Sequence, residues 1–210
     1  MLHLLFPRKC ILCKRVLART RIDLCDFCRE DTECWKDEKR KLQFLDSFTA
    51  VWYYEGYVRS SILRFKFYRA RHLAPGFGRC IALKLSKTAP EGFDILTWVP
   101  ISRRRKLTRG YDQCALLAKT VGKELGIPVL PLLKKIRNNK PQSSVQGVAQ
   151  RRANVLGVYK VLTPDAVQGK RILLLDDVLT TGSTAGECAR MLLTAGAKEV
   201  HCAAIAAVRK

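Results

Sequence analysis

Residues 172–184 read ILLLDDVLTTGST: four large aliphatics, two adjacent carboxylates, then a short Thr/Gly/Ser stretch. The apolar run from Ile172 to Leu175 is too short for a free-standing helix and is flanked by polar residues. It therefore reads as a strand buried on both faces of a parallel sheet. Asp176 and Asp177 then stand at its carboxyl end, where open α/β sheets bind their ligands. Thr180, Thr181, Gly182, Ser183 and Thr184 follow, with backbone N–H groups, hydroxyls and a glycine for a tight turn into a helix expected from Thr184 to Ala195. Such a loop is an anion cradle with the positive end of a helix dipole behind it.

Two carboxylates beside a phosphate loop repel an anion unless hydroxyls or a cation come between them. A sugar phosphate meets that demand: its phosphate sits in the loop, its vicinal ribose hydroxyls donate to Asp176 and Asp177, and Mg²⁺ bridges the hydroxyls and a further diphosphate. A nucleoside triphosphatase would need the string GxxxxGK[ST], which does not occur in the chain. The segment resembles the signature of the type I phosphoribosyltransferases, which bind phosphoribosyl pyrophosphate (PRPP). That resemblance assigns the ribose hydroxyls to Asp176 and Asp177 and the 5′-phosphate to Thr180, Thr181, Gly182, Ser183 and Thr184.

Near the amino terminus, Cys10, Cys13, Cys25 and Cys28 form two CxxC pairs. The spacing suits one tetrahedral Zn²⁺ with all four positions filled by sulfur, a closed and therefore structural site. The alternatives are a pair of disulfides or four unrelated thiols. Both fit less well with a chain that shows no secretory leader and scatters its other cysteines singly. A cytoplasmic protein is expected, and no membrane insertion, because no apolar stretch approaches the roughly 20 residues that span a bilayer.

The chain has 210 residues and a net charge of +21, enough for one α/β domain with a small appendage. The charge is clustered: residues 59–87 hold eight basic side chains and no acid, residues 103–109 five and none, residues 134–152 six and none. Solubility does not require such clustering, which points to a polyanion, most often nucleic acid. Arg64, Lys66, Arg69 and Arg71 lie outside the ligand loops read above and are expected to track single-stranded DNA.

In chain order the pattern predicts a zinc module over residues 1–40 and a larger unit over 41–210. Strands are expected at 47–54, 94–100, 128–136, 155–162, 171–175 and 200–208. Helices are expected at 59–69, 72–85 and 112–125. The alternation gives an α/β fold with a mainly parallel, doubly wound sheet. Two stretches read as functional loops. Residues 99–110, VPISRRRKLTRG, leave a strand end with Ser102, Arg103 and Arg104 placed to clamp a pyrophosphate. Residues 137–154 are long, polar and basic, as befits a flap that closes over an activated sugar.

Together these strings resemble the ComF family of competence proteins. The resemblance rests on Phe6-Pro7 before the CxxC pairs, Tyr54 to Gly56 before a basic helix with Lys66-Phe67, the VPISRRRKLTRGYDQ segment, Lys140-Pro141-Gln142 with Arg151 and Asn154, and DDVLTTGST. Lys14 stands where that family commonly has glycine, and Asp112 where asparagine is common. The resemblance implies a phosphoribosyltransferase-type sheet with a small zinc-binding module, a role in handling single-stranded DNA during transformation, and a helicase partner. A salvage phosphoribosyltransferase acting on a base and a PRPP-sensing nucleic-acid-binding regulator are the alternatives, and the sequence identifies no acceptor.

Overall fold

The computed structural model describes residues 7–17, 23–36, 41–89, 92–137 and 155–209. Four parallel strands form the central sheet in the order β1-β6-β5-β2: β1 (Ser47–Tyr53), β2 (Ile95–Trp98), β5 (Arg171–Leu179) and β6 (Glu199–Ala207). Their crossovers contain α2 (Gly56–Phe67), α3 (Ala74–Thr88), α4 (Arg103–Arg109), α5 (Gln113–Leu125) and α7 (Ser183–Thr194). A short α1 (Asp26–Asp31) precedes the sheet, and β3 (Leu133–Lys135), β4 (Tyr159–Val161) and α6 (Pro164–Val167) lie between α5 and β5.

The strand alternation sorts the core into two layers. Leu173 and Leu175 of β5 and Ala203 and Ile205 of β6 pack with Ile62 and Phe65 of α2, Phe77 and Ile81 of α3, and Leu117 and Val121 of α5. Ile172, Leu174, Val200 and Cys202 face the other way, against Cys188 and Leu192 of α7 and the β3–β4 pair. Both faces are covered, which is why β5 reads as an unbroken aliphatic run.

Several expectations are corrected. Strand β5 does not stop at Leu175. Its parallel pairing with β6 continues through Asp176↔Ala204, Val178↔Ala206 and Leu179↔Ala207, so both aspartates sit inside the paired strand. Residues 103–109 form a helix, not a loop, capped by the Ser102 hydroxyl at one end and by left-handed Gly110 at the other. The stretch expected as one strand over 128–136 divides: Val129 bridges Leu96 in parallel, while Leu133 to Lys135 pair antiparallel with Tyr159 to Val161. Of the flap expected over 137–154, residues 138–154 lie outside the described residues, as do residues 37–40.

The four-cysteine segment is packed onto the sheet layer. Ile11 and Leu12 belong to the same core as Phe65 and Phe77. Asp23 accepts from Arg8 at 2.8 Å and from Arg79 Nε of α3 at 2.7 Å.

Candidate functional site

Asp176 and Asp177 are adjacent on β5, and a carboxylate oxygen of each lies within 4.8 Å of the other and of the Cys114 sulfur. Asp177 shares the face of Leu173 and Leu175, and that side brings it to α2 and α5. Its Oδ1 lies 2.6 Å from Lys66 Nζ, and its Oδ2 accepts from Gln113 Nε2 at 2.6 Å. Gln113 in turn accepts from Arg109. Asp176 Oδ1 accepts the Asp177 backbone N–H at 2.8 Å and lies 3.9 Å from the Cys114 sulfur.

Burial first, and then the adjacent Asp177 charge, push the Asp176 carboxyl up to about 7, against the pull of Lys66. Burial acts to discharge Lys66, but Asp177 outweighs it and holds the ammonium above its ordinary range. Burial also raises the Cys114 thiol, with the carboxylates Asp177 and Asp176 adding to it. Sequence reasoning missed Gln113 and Cys114 and misplaced Lys66. The expectation that Arg64, Lys66, Arg69 and Arg71 all stand apart from the ligand loops fails at Lys66, which lies against Asp177. Arg64 is likewise committed elsewhere, to the cysteine segment. Arg69 is exposed with a left-handed φ of 52°, and Arg71 is exposed at the start of a one-turn 3₁₀ helix.

The loop after β5 has the expected form. Gly182, at φ 76°, caps α7. The left-handed backbone favours glycine, and a Cβ there would fall 2.7 Å from Leu42 Cδ2 and displace that side chain. The Thr181 and Ser183 hydroxyls lie 2.8 Å apart. The N–H groups of the first turn of α7 open at this point, with the positive end of a helix dipole.

Ser102 is almost fully buried, and its hydroxyl accepts from Arg105 N at 3.3 Å as the N-cap of α4. Arg103 and Arg104 are exposed on the same helix. Asp112, whose role the sequence left open, caps α5: it accepts from Cys114 N and Ala115 N and from Ile101 N. An asparagine carbonyl oxygen would keep the two bonds at the start of α5, but the amide nitrogen in place of Oδ2 could not accept from Ile101 N. Burial raises its carboxyl despite those donors.

The sulfurs of Cys10, Cys13, Cys25 and Cys28 lie within 4.8 Å of one another, and Cys13 and Cys25 are 3.5 Å apart. A tetrahedron with metal–sulfur bonds near 2.3 Å has an edge of about 3.8 Å, so the cluster fits one tetrahedral ion. Burial acts to raise the Cys10 thiol, yet backbone hydrogen bonds around Cys13, Cys25 and Leu12 bring it down to about 7. Cys28 moves up, through burial and its sulfur neighbours. The first CxxC turn is closed by Lys14 N donating to Cys10 O at 3.0 Å, and Lys14 adopts φ 69°, which explains a preference for glycine there. The second pair opens α1, with Cys25 at its N-cap position.

The phosphoribosyl transferase domain family matches residues 112–210. Competence protein ComFC of Bacillus subtilis (strain 168) is 27% identical over 206 residues, covering 93% of this chain and 82% of that protein. DNA utilization protein YhgH of Escherichia coli (strain K12) is 29% identical over 145 residues, 67% of this chain and 63% of its own length. Among solved structures, glutamine PRPP amidotransferase from B. subtilis complexed with ADP and GMP superposes with a TM-score of 0.47 at 22% identity, over 68% of this chain and 30% of the amidotransferase. Among the described residues no helix is long and apolar enough to cross a membrane.

Proposed function

The chain is a homologue of competence protein ComFC and of the YhgH DNA utilization proteins, with a phosphoribosyl transferase domain, and from that premise we propose that it binds PRPP and serves DNA uptake by handling single-stranded DNA. The observation that carries the reading is the placement of Asp176 and Asp177 on β5 directly before a glycine-capped loop that opens α7. The 5′-phosphate occupies the loop from Thr180 to Thr184, where backbone N–H groups and the helix dipole favour an anion. The ribose hydroxyls donate to the carboxylate side of the site. Arg103 and Arg104, on the first turn of α4, meet the diphosphate, and Mg²⁺ accompanies that group. Zn²⁺ in the four-cysteine cluster is structural.

For single-stranded DNA, the support is a basic surface with exposed aromatic rings. Phe67 and Tyr68 are 65% and 75% exposed, beside Arg69 and Arg71. The Arg109 guanidinium lies 5.4 Å from the Phe67 ring centre. Flat rings and cations side by side bind unpaired bases and their phosphates without sequence preference. A cytoplasmic site of action, with a helicase as partner, completes the reading.

Two titrations test it: PRPP with Mg²⁺ by calorimetry, and a fluorescent oligonucleotide at two salt concentrations. Measurable PRPP binding, and DNA binding that weakens with salt and drops in Phe67→Ala with Tyr68→Ala, are the expected results. DNA affinity unchanged in that variant removes this surface, and absent PRPP binding removes the assignment of the loop.

A further inference from the structure

Asp177 is one of the two carboxylates that the proposed function turns toward a sugar, yet both of its oxygens are taken from within the protein. It is 5% exposed, with Lys66 Nζ at 2.6 Å on Oδ1 and Gln113 Nε2 at 2.6 Å on Oδ2. Asp176 differs. It is only partly buried, and among the described residues no donor is placed on its Oδ2.

Lys66 is held in this position from both sides. It is the penultimate residue of α2. Two residues earlier, Arg64 donates to Ile11 O at 2.9 Å and to Leu12 O at 2.7 Å. The carbonyl of Phe65, between them, accepts from the Tyr111 hydroxyl. These contacts fix the helix backbone at Lys66, and the side chain, only 20% exposed, carries its ammonium to Asp177 Oδ1.

A divalent ion at the same carboxylate would meet two obstacles. Mg²⁺ requires oxygen ligands near 2.1 Å in an octahedron, and both Asp177 oxygens are already covered by N–H donors. Expelling the ammonium would leave a buried charge without its partner, which costs several kcal/mol. Retaining it would set two cations side by side.

We propose that Lys66 is the resident cation of this site: it neutralises Asp177, so that the 5-phosphoribosyl group is held without a divalent ion, with Asp176 Oδ2 as the oxygen that accepts a ribose hydroxyl. Mg²⁺ then enters only with the diphosphate. The inference rests on the reading of the loop as a 5′-phosphate site and names what neutralises the acids beside it. Lys66 cancels one unit of negative charge at the carboxylate pair, which lowers its repulsion of the ligand phosphate.

The probe is ribose 5-phosphate, which lacks the diphosphate, titrated by calorimetry in EDTA and in millimolar Mg²⁺. The parent's affinity should change by no more than about twofold between the two conditions, a difference of less than half a kcal/mol. Lys66→Met should lose about tenfold or more in EDTA, the equivalent of 1.4 kcal/mol, and recover part of it in Mg²⁺, which takes the vacated place. Lys66→Met with Asp177→Asn removes both charges, protects the fold from an unpaired buried carboxylate, and should bind at least about threefold more tightly in EDTA than Lys66→Met alone.

Parent binding that requires Mg²⁺ overturns the inference while leaving the loop reading intact. A double variant that folds yet binds as weakly as Lys66→Met alone also overturns it, since neutralisation would then not be what the lysine supplies. Absence of ribose 5-phosphate binding by the parent in both conditions overturns the loop reading and the inference with it.

Discussion

The Arg64 guanidinium donates to the backbone carbonyl of Leu12 across 2.7 Å, and so fastens helix α2 to the first CxxC turn. The same side chain reaches Ile11 O, which also accepts from the Ser61 hydroxyl. Burial lowers the Arg64 pKa, while the Cys10 and Cys13 sulfurs act to raise it. A four-thiolate Zn²⁺ site carries net negative charge, so a guanidinium beside it serves both as hydrogen-bond donor and as counter-ion.

Metal removal should therefore be felt beyond the cysteines. Purified reduced protein is expected to contain one Zn²⁺ per chain by elemental analysis, and Cys10→Ser or Cys28→Ser to lose it together with much of the stability of this segment. Arg64→Ala should retain the metal but cost about 2 kcal/mol in urea unfolding, the range for hydrogen bonds from a charged donor. Stoichiometric zinc in the serine variants would contradict the assignment.

Lys14 offers a gain in stability. It is exposed and holds a left-handed φ of 69°, a conformation that costs a residue with a Cβ about 1 kcal/mol. Lys14→Gly should raise the urea midpoint with the slope unchanged, by up to that amount. A lower midpoint would show that the lysine side chain supplies something its exposure does not suggest.

At the sugar site, Asp176→Asn should weaken PRPP binding about tenfold or more, the loss of one charge-assisted hydrogen bond. Circular dichroism should show an unchanged fold. Thr181→Val should weaken it similarly by removing a hydroxyl from the loop. Calorimetry that finds either variant equal to the parent would take that residue out of the site.

The raised Asp176 carboxyl also sets a pH dependence. Its folded value of about 7 lies above the ordinary carboxylate value of 3.8, so the folded state binds more protons between those limits and stability falls as pH rises through them. Asp176→Asn lacks this titration. The parent should lose at least about 1.4 kcal/mol relative to the variant between pH 4 and 8, the equivalent of one pKa unit. Parallel stability curves across that range would show that Asp176 is not destabilised by its surroundings.

The local signals in the sequence read well because they are local. Strand β5, the loop through Gly182 and the two CxxC pairs each depend on neighbours a few positions away. Helix α4 was hidden because it has no buried residue. Its apolar stripe is missing, and Ser102 and Gly110 at its two ends define it instead. The end of β5 was misread because its continuation rests on the alanines of β6, and that pairing leaves no mark on β5 itself. Lys66 looked like one more cation in a basic run. Only the crossover that lays α2 beside the site distinguishes it from Arg69, three positions on, and no periodicity in residues 59–87 encodes that.

Leu42 and Gln43 lie on the phosphate loop and the helix behind it: a Cβ on Gly182 would strike the Leu42 side chain, and one on Gly186 would come within 2.8 Å of Gln43 O. The stretch that enters the sheet is thus also the outer wall of the loop. A truncation meant to isolate the sugar-phosphate unit has to begin upstream of Leu42. Starting at Ser47, where the first strand begins, would preserve every strand of the central sheet and yet remove Leu42 and Gln43 from the turn proposed to bind the sugar phosphate, so that lost affinity would be wrongly blamed on the missing cysteines alone.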